Sequence, residues 1–139
     1  MRHLVALSAI LILAGCGTNS SSSTPSSPSP ATRPSSPVRI TLVSPTNGEI
    51  IHGNVVHVVV AISGGQIVKT ASTQISPTQG HVHLFLDKQL IYMAYTLSQD
   101  IPVTPGLTYS MGTEFVASDH IPFSPRDTTP TIVFSVAPQ

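Results

Sequence analysis

The sequence has no tryptophan, a single cysteine and few charges, and no apolar run long enough to cross a membrane as a helix. Of its 139 residues only 9% are charged, and the formal net charge is zero. So sparse a charge set cannot build the basic surface that phosphate-backbone binding requires, which excludes nucleic acid as a partner. It also argues against a coiled coil or long helical bundle, whose sequences are dominated by Glu, Lys, Arg, Ala and Leu. One cysteine can form neither an internal disulfide nor a cysteine-based zinc site.

The N-terminus reads as an address. Met1-Arg2-His3 is short and basic, and Leu4 to Ala14 is apolar with one serine. That run is well short of the roughly 20 residues a transmembrane helix needs and matches the h-region of a secretory signal peptide. Leu13-Ala14-Gly15-Cys16 follows and resembles the lipobox of bacterial lipoproteins. The resemblance implies that residues 1–15 are a lipoprotein signal peptide. Cys16 then carries the lipid chains, palmitate among them, and becomes the new N-terminus. The protein is expected to be exported. Its anchor on Cys16 holds it to the outer face of the cell membrane, or in the periplasm or outer membrane, without spanning the bilayer. Gly17 is not the Asp that serves as an inner-membrane retention signal in some bacteria with two membranes. With Cys16 lipidated the folded part has no thiol, which excludes a thiol nucleophile and a blue-copper site.

Residues 18–37 read TNSSSSTPSSPSPATRPSSP, and all but Asn19, Ala31 and Arg33 are Ser, Thr or Pro. Such a stretch has no apolar surface to offset the entropy of ordering, so residues 16–37 are read as a lipidated cysteine and a disordered tether. At about 3.1 Å per residue in polyproline II, it would reach up to about 60 Å.

Residues 38–139 are read as one domain. Glu49, Asp87, Asp100, Glu114, Asp119 and Asp127 stand against Arg39, Lys69, Lys88 and Arg126, a net charge of −2 with neutral histidine. Strand periodicity recurs between turn signals. Val38, Ile40 and Leu42 share one face, as do Val56, Val58, Val60 and Ile62, with His57 opposite. Val82, Leu84 and Leu86 alternate with His81 and His83, and Leu90 to Tyr95 is a β-type run whose inward face the pattern does not assign. Tyr109, Met111 and Phe115 share a face, as do Ile132, Phe134 and Val136, and Pro122, Pro125 and Pro130 mark a long connection. The pattern predicts an all-β protein, an antiparallel Ig-like β-sandwich of about seven strands, with a closed barrel as the alternative. The domain is expected to be a monomer.

Ser44-Pro45-Thr46-Asn47-Gly48-Glu49-Ile50-Ile51, before a valine-rich strand, resembles the opening of many extracytoplasmic Ig-like domains. Gly80-His81-Val82-His83-Leu84-Phe85-Leu86-Asp87, then Pro105-Gly106, a strand and Asp119-His120, is similar to small secreted bacterial domains of the uncharacterised G-H-x-H-x-x-x-D type. The resemblance implies a fold and brings no established activity. The chain departs from the usual form in the proline-rich segment Ile121 to Pro130.

The H-x-H at His81 and His83 carries the clearest chemistry. Side chains two apart on a strand share a face about 6.5–7 Å apart at Cα, so both imidazoles can converge on one ion. With Val82, Leu84 and Leu86 inward, the histidines and Asp87 should point outward. If strand 107–117 lies beside strand 81–87, Glu114 faces the same way, and His120 follows at that strand's end. His81, His83, Glu114 and His120 form a candidate copper(II) or zinc set. Met93 and Met111 would suit copper(I), but Met111 reads as core. The alternative is that these are solvated strand histidines, or that one hydrogen-bonds a neighbouring loop to hold the fold, and that Asp119 caps backbone N–H groups of the next turn. There is no G-x-S-x-G elbow, P-loop or H-E-x-x-H helix, and no enzyme is indicated. Two readings stay open. One is a lipid-anchored, non-catalytic binding or structural module of the cell envelope, with no cofactor and an envelope protein or glycan as partner. The other is an extracytoplasmic copper- or zinc-binding lipoprotein using His81 and His83.

Cys16→Ser is expected to leave an unlipidated precursor that no longer matures at residue 16. Detergent-phase partitioning equal to that of the wild type would contradict the anchor.

Overall fold

The valine-rich strand predicted from the sequence anchors one of two packed sheets. The structure, a computed structural model, describes residues 32–139. The signal peptide, Cys16 and the tether as far as residue 31 lie outside the described residues. Ten strands run in order: β1 (Arg39–Ser44), β2 (Ile50–Ile51), β3 (Val55–Ser63), β4 (Gln66–Ile67), β5 (Gln79–Leu86), β6 (Gln89–Ala94), β7 (Ser98–Pro102), β8 (Thr108–Ala117), β9 (Pro122–Thr128) and β10 (Ile132–Val136). The fold is all-β, as the periodicity predicts.

In the smaller sheet, ordered β1-β3-β7, Val56, Val58 and Val60 of β3 are buried while His57 points to solvent. His57 Nδ1 there meets Asp100 Oδ1 of β7 at 2.6 Å. The larger sheet is ordered β2-β10-β8-β5-β4, with β6 also on β5 and β9 also on β8. Its spine is the antiparallel pair β5–β8, in register from Gly80↔Ala117 to Leu86↔Met111. Val82 and Leu84 of β5, with Met111 and Phe115 of β8, face the valines of β3 across a core joined by Ile101, Phe123, Phe134 and Val136. Gly80 permits the tightest part of this pairing. A Cβ there would sit 1.9 Å from the carbonyl oxygen of Val116 and 2.9 Å from the Phe115 ring.

Two features differ from the sequence reading. Pro122–Thr128, read as a connection, is a strand. It pairs only with β8 and only near its ends, Pro122 opposite Val116 and Asp127 and Thr128 opposite Phe115 and Glu114. An edge strand tolerates the missing N–H of proline. Ser98–Pro102 is likewise a strand, pairing with β3 and burying Ile101. The compact unit takes in Thr32–Gln139, so the segment ahead of residue 38 packs with it. Ser124 N donates to Pro34 O at 3.0 Å, and Arg33 bonds to the turn after β8. Composition classed this segment as spacer, and one arginine finding an acceptor-rich turn ties it to the sandwich.

A chain cut before Val38 should therefore melt below one cut before Thr32, by about 1–3 kcal/mol for a part-buried charged hydrogen-bond set. Equal denaturant midpoints would show that residues 32–37 contribute nothing.

Candidate metal centre

His81 and His83 lie on the face of β5 opposite the core, two residues apart, as period two requires. They are not solvated. His81 is 1% exposed and His83 6%, against the expectation of an outward, wet face. The cover comes from the turn after β8 and from the end of β6. The His120 ring lies edge-on to His81 at 4.4 Å between centroids, and Tyr95 packs on His81 at 5.1 Å. His120 belongs to a turn in which its own N–H donates to Ala117 O and Ala117 N donates to Ile121 O. Its φ is +66°, a left-handed conformation that histidine adopts more readily than most residues.

The three imidazoles converge. The Nε2 atoms of His81 and His83 are 3.3 Å apart. One ligating atom from each of His81, His83 and His120 lies within 4.8 Å of the others. With metal–nitrogen bonds of about 2.0–2.1 Å, the edge of a tetrahedron is about 3.3–3.4 Å, so the first pair already has the spacing of two ligands on one ion. His120 Nδ1 is buried and has no hydrogen-bond partner among the described residues. An unpartnered buried ring nitrogen is costly, and in its lone-pair form it could be taken up by an ion.

Electrostatics keep the pair neutral. Burial, then the neighbouring His120 and His83, push His81 down from 6.5 to about 4, against a smaller opposing pull from Asp119. Burial also lowers His83, with Glu114 opposing and His120 and Arg126 adding to the shift. Neutral imidazole is the form that ligates.

Glu114 stands directly across from His83 in the β5–β8 register and is 1% exposed. It does not join the histidines. Arg126 of β9 grips it, Nε donating to Oε1 at 2.5 Å and Nη2 to Oε2 at 2.6 Å, and this pairing holds the Arg126 guanidinium protonated more firmly than usual. Asp119 is similarly engaged by Arg33, at 2.7 and 3.0 Å. Burial works to raise the Asp119 carboxyl, but the bonds from Arg33 and from Ile121 N, with the charge of Arg33, hold it below its usual range. Asp87 lies in the β5–β6 hairpin turn, accepting from Ser110 N at 2.8 Å. Met93 is the register partner of His83 on β6, whereas Met111 is in the core. His57 is on the other sheet.

Sequence reasoning missed Tyr95, Arg126 and Arg33. Tyr95 had a signal: it follows Met93 by two residues, so assigning the face of 90–95 would have placed it. Arg126 and Arg33 had none beyond the need of a buried carboxylate for a counter-ion.

Among solved structures, the chain is similar to fibronectin(III)-like modules of Clostridium thermocellum CbhA, with a TM-score of 0.50 and 20% identity over 70% of this chain and 94% of the matched one. No protein-family model and no curated protein matches the sequence. The likeness establishes the fold, an Ig-like sandwich of fibronectin(III) type.

Because unfolded His81 titrates near 6.5 and folded His81 near 4, the unfolded chain binds more protons than the folded one between those values. The metal-free domain should keep this contribution above pH 6.5 and lose it as pH falls toward 4, by about 3 kcal/mol at 1.36 kcal/mol per pKa unit. Denaturant unfolding across that range checks this, with His81→Gln expected to flatten the slope. A stability independent of pH there would contradict it.

Proposed function

We propose that this chain is an exported, lipid-anchored binding module whose ligand is copper(II) or zinc, held by His81, His83 and His120. The observation that carries the reading is the convergence of three imidazoles on one buried point, two of them already 3.3 Å apart. Imidazole suits both ions, and the three side chains that converge are all imidazoles. Bound there, the ion would supply a dicationic centre with three nitrogen ligands, while the residues exclude water from two of them. We read the module as non-catalytic: among the described residues no nucleophile and base pair adjoins the cluster, and the neighbouring carboxylates are tied to arginines. Export and anchoring rest on the sequence pattern of residues 1–16. The metal reading also gives the envelope module a ligand that its sandwich alone does not identify.

Calorimetric titration with copper(II) and with zinc should give near one-to-one binding. At about 100 times the dissociation constant, metal should add about 2.7 kcal/mol of stability. His81→Ala, His83→Ala and His120→Ala should each remove most of the affinity, whereas His57→Ala should leave it unchanged. No binding tighter than about 100 μM, roughly −5.5 kcal/mol, would retire the reading, as would an equal loss from His57→Ala.

A further inference from the structure

Two of the three histidines are placed by a strand in the middle of a sheet. The third is not. His120 sits in a turn outside any strand, in a left-handed backbone conformation, and its Nδ1 bonds to nothing among the described residues. Where its ring points therefore depends on how firmly the backbone on either side is held. Resting on the metal reading above, we propose that Arg33 is a positioning residue of the centre: from the segment ahead of β1 it clamps the turn that presents His120.

The guanidinium reaches across both flanks of His120. On the N-terminal side Nη1 donates to Asp119 Oδ2 at 2.7 Å and Nη2 to Asp119 Oδ1 at 3.0 Å. On the C-terminal side Nη2 donates to Ile121 O at 2.8 Å and Nε to Pro122 O at 3.1 Å. Asp119 Oδ1 also accepts from Ile121 N at 3.1 Å, closing the turn from within. A planar fork with fixed donor directions can meet a carboxylate and two carbonyls at once, and a lysine cannot. The clamp counters the cost of the left-handed residue, about 1–2 kcal/mol, and fixes the one ligand that the sheet does not. Arg33 is 86 residues from Asp119 in sequence, so a segment that composition reads as spacer is part of the site. A ligand's outer partners typically govern metal affinity by about 10- to 100-fold.

The test uses the full-length chain in detergent, loaded with copper(II), with electron paramagnetic resonance to count coordinated imidazole nitrogens and titration to read affinity. Arg33→Ala should weaken copper(II) binding about 10- to 100-fold and drop the count from three imidazoles to two, as His120→Ala does. Arg33→Lys should fall between. Asp119→Asn, which keeps the acceptor for Ile121 N but loses the charge that Arg33 grips, should act in the same direction, and it carries the comparison if Arg33→Ala does not fold. A role in stability alone would lower the metal-free melting temperature and leave both the three-imidazole signature and the affinity intact. That result would overturn the proposal while the metal reading stood. A wild-type chain that binds neither copper(II) nor zinc would overturn the metal reading itself, before any variant is compared.

Discussion

The pairing of β5 with β8 carries most of what this molecule does. Seven residue pairs hold the two strands together, and because side chains alternate, one pairing serves both faces. On one, Val82, Leu84, Met111 and Phe115 form the core against β3. On the other, His81 and His83 stand beside Glu114 and Val116. A slip of one residue would put the histidines in the core and the leucines on the outer face, so hydrophobic burial on one side fixes the register of the polar cluster on the other. Gly80 belongs to the same constraint. It begins the G-H-x-H sequence because Val116 O and the Phe115 ring leave no room for a side chain there.

An outer face of an antiparallel sheet is ordinarily wet. Here it is closed by pieces that are not strands of the spine: the turn at His120 and the ring of Tyr95. Their cover desolvates the histidines, and desolvation is the largest cause of the low affinity of His81 and His83 for protons. Glu114, on β8 between β5 and β9, is also buried and has Arg126 at its side. Glu114 and Asp119 are thus each answered by an arginine from another element.

The elements legible in the sequence were those with strict period two. Val55–Ser63, Gln79–Leu86 and Thr108–Ala117 each carry an alternating apolar set, and their inward faces follow from that; the pairing of the last two was a condition of the reading, not its result. Pro122–Thr128 was opaque because two of its seven residues are proline, which local rules assign to loops, whereas its place at an edge makes them tolerable. Within the cluster, the facing of His81 and His83 was readable and their burial was not, since burial depends on a turn whose path no pattern records. Glu114 was read as facing the same way as His83, and the register puts the two opposite; its engagement by Arg126 was not readable, because Arg126 lies in the strand that went unseen. Arg33 was hidden by its company: one charged residue among serines and prolines carries no periodicity at all.

The two arginine pairs also decide which cations could compete for this place. Outside a cell, calcium and magnesium outnumber every transition ion, and both are hard cations that coordinate through oxygen. The carboxylates beside the histidines, Glu114 and Asp119, have their oxygens turned to guanidinium groups, which leaves an all-nitrogen cluster. Were an ion held there, Glu114 and Asp119 would meet it with oxygens already engaged by Arg126 and Arg33, and the trio would offer calcium and magnesium nitrogen in place of the oxygen they favour. Selection would then follow from donor chemistry rather than cavity size.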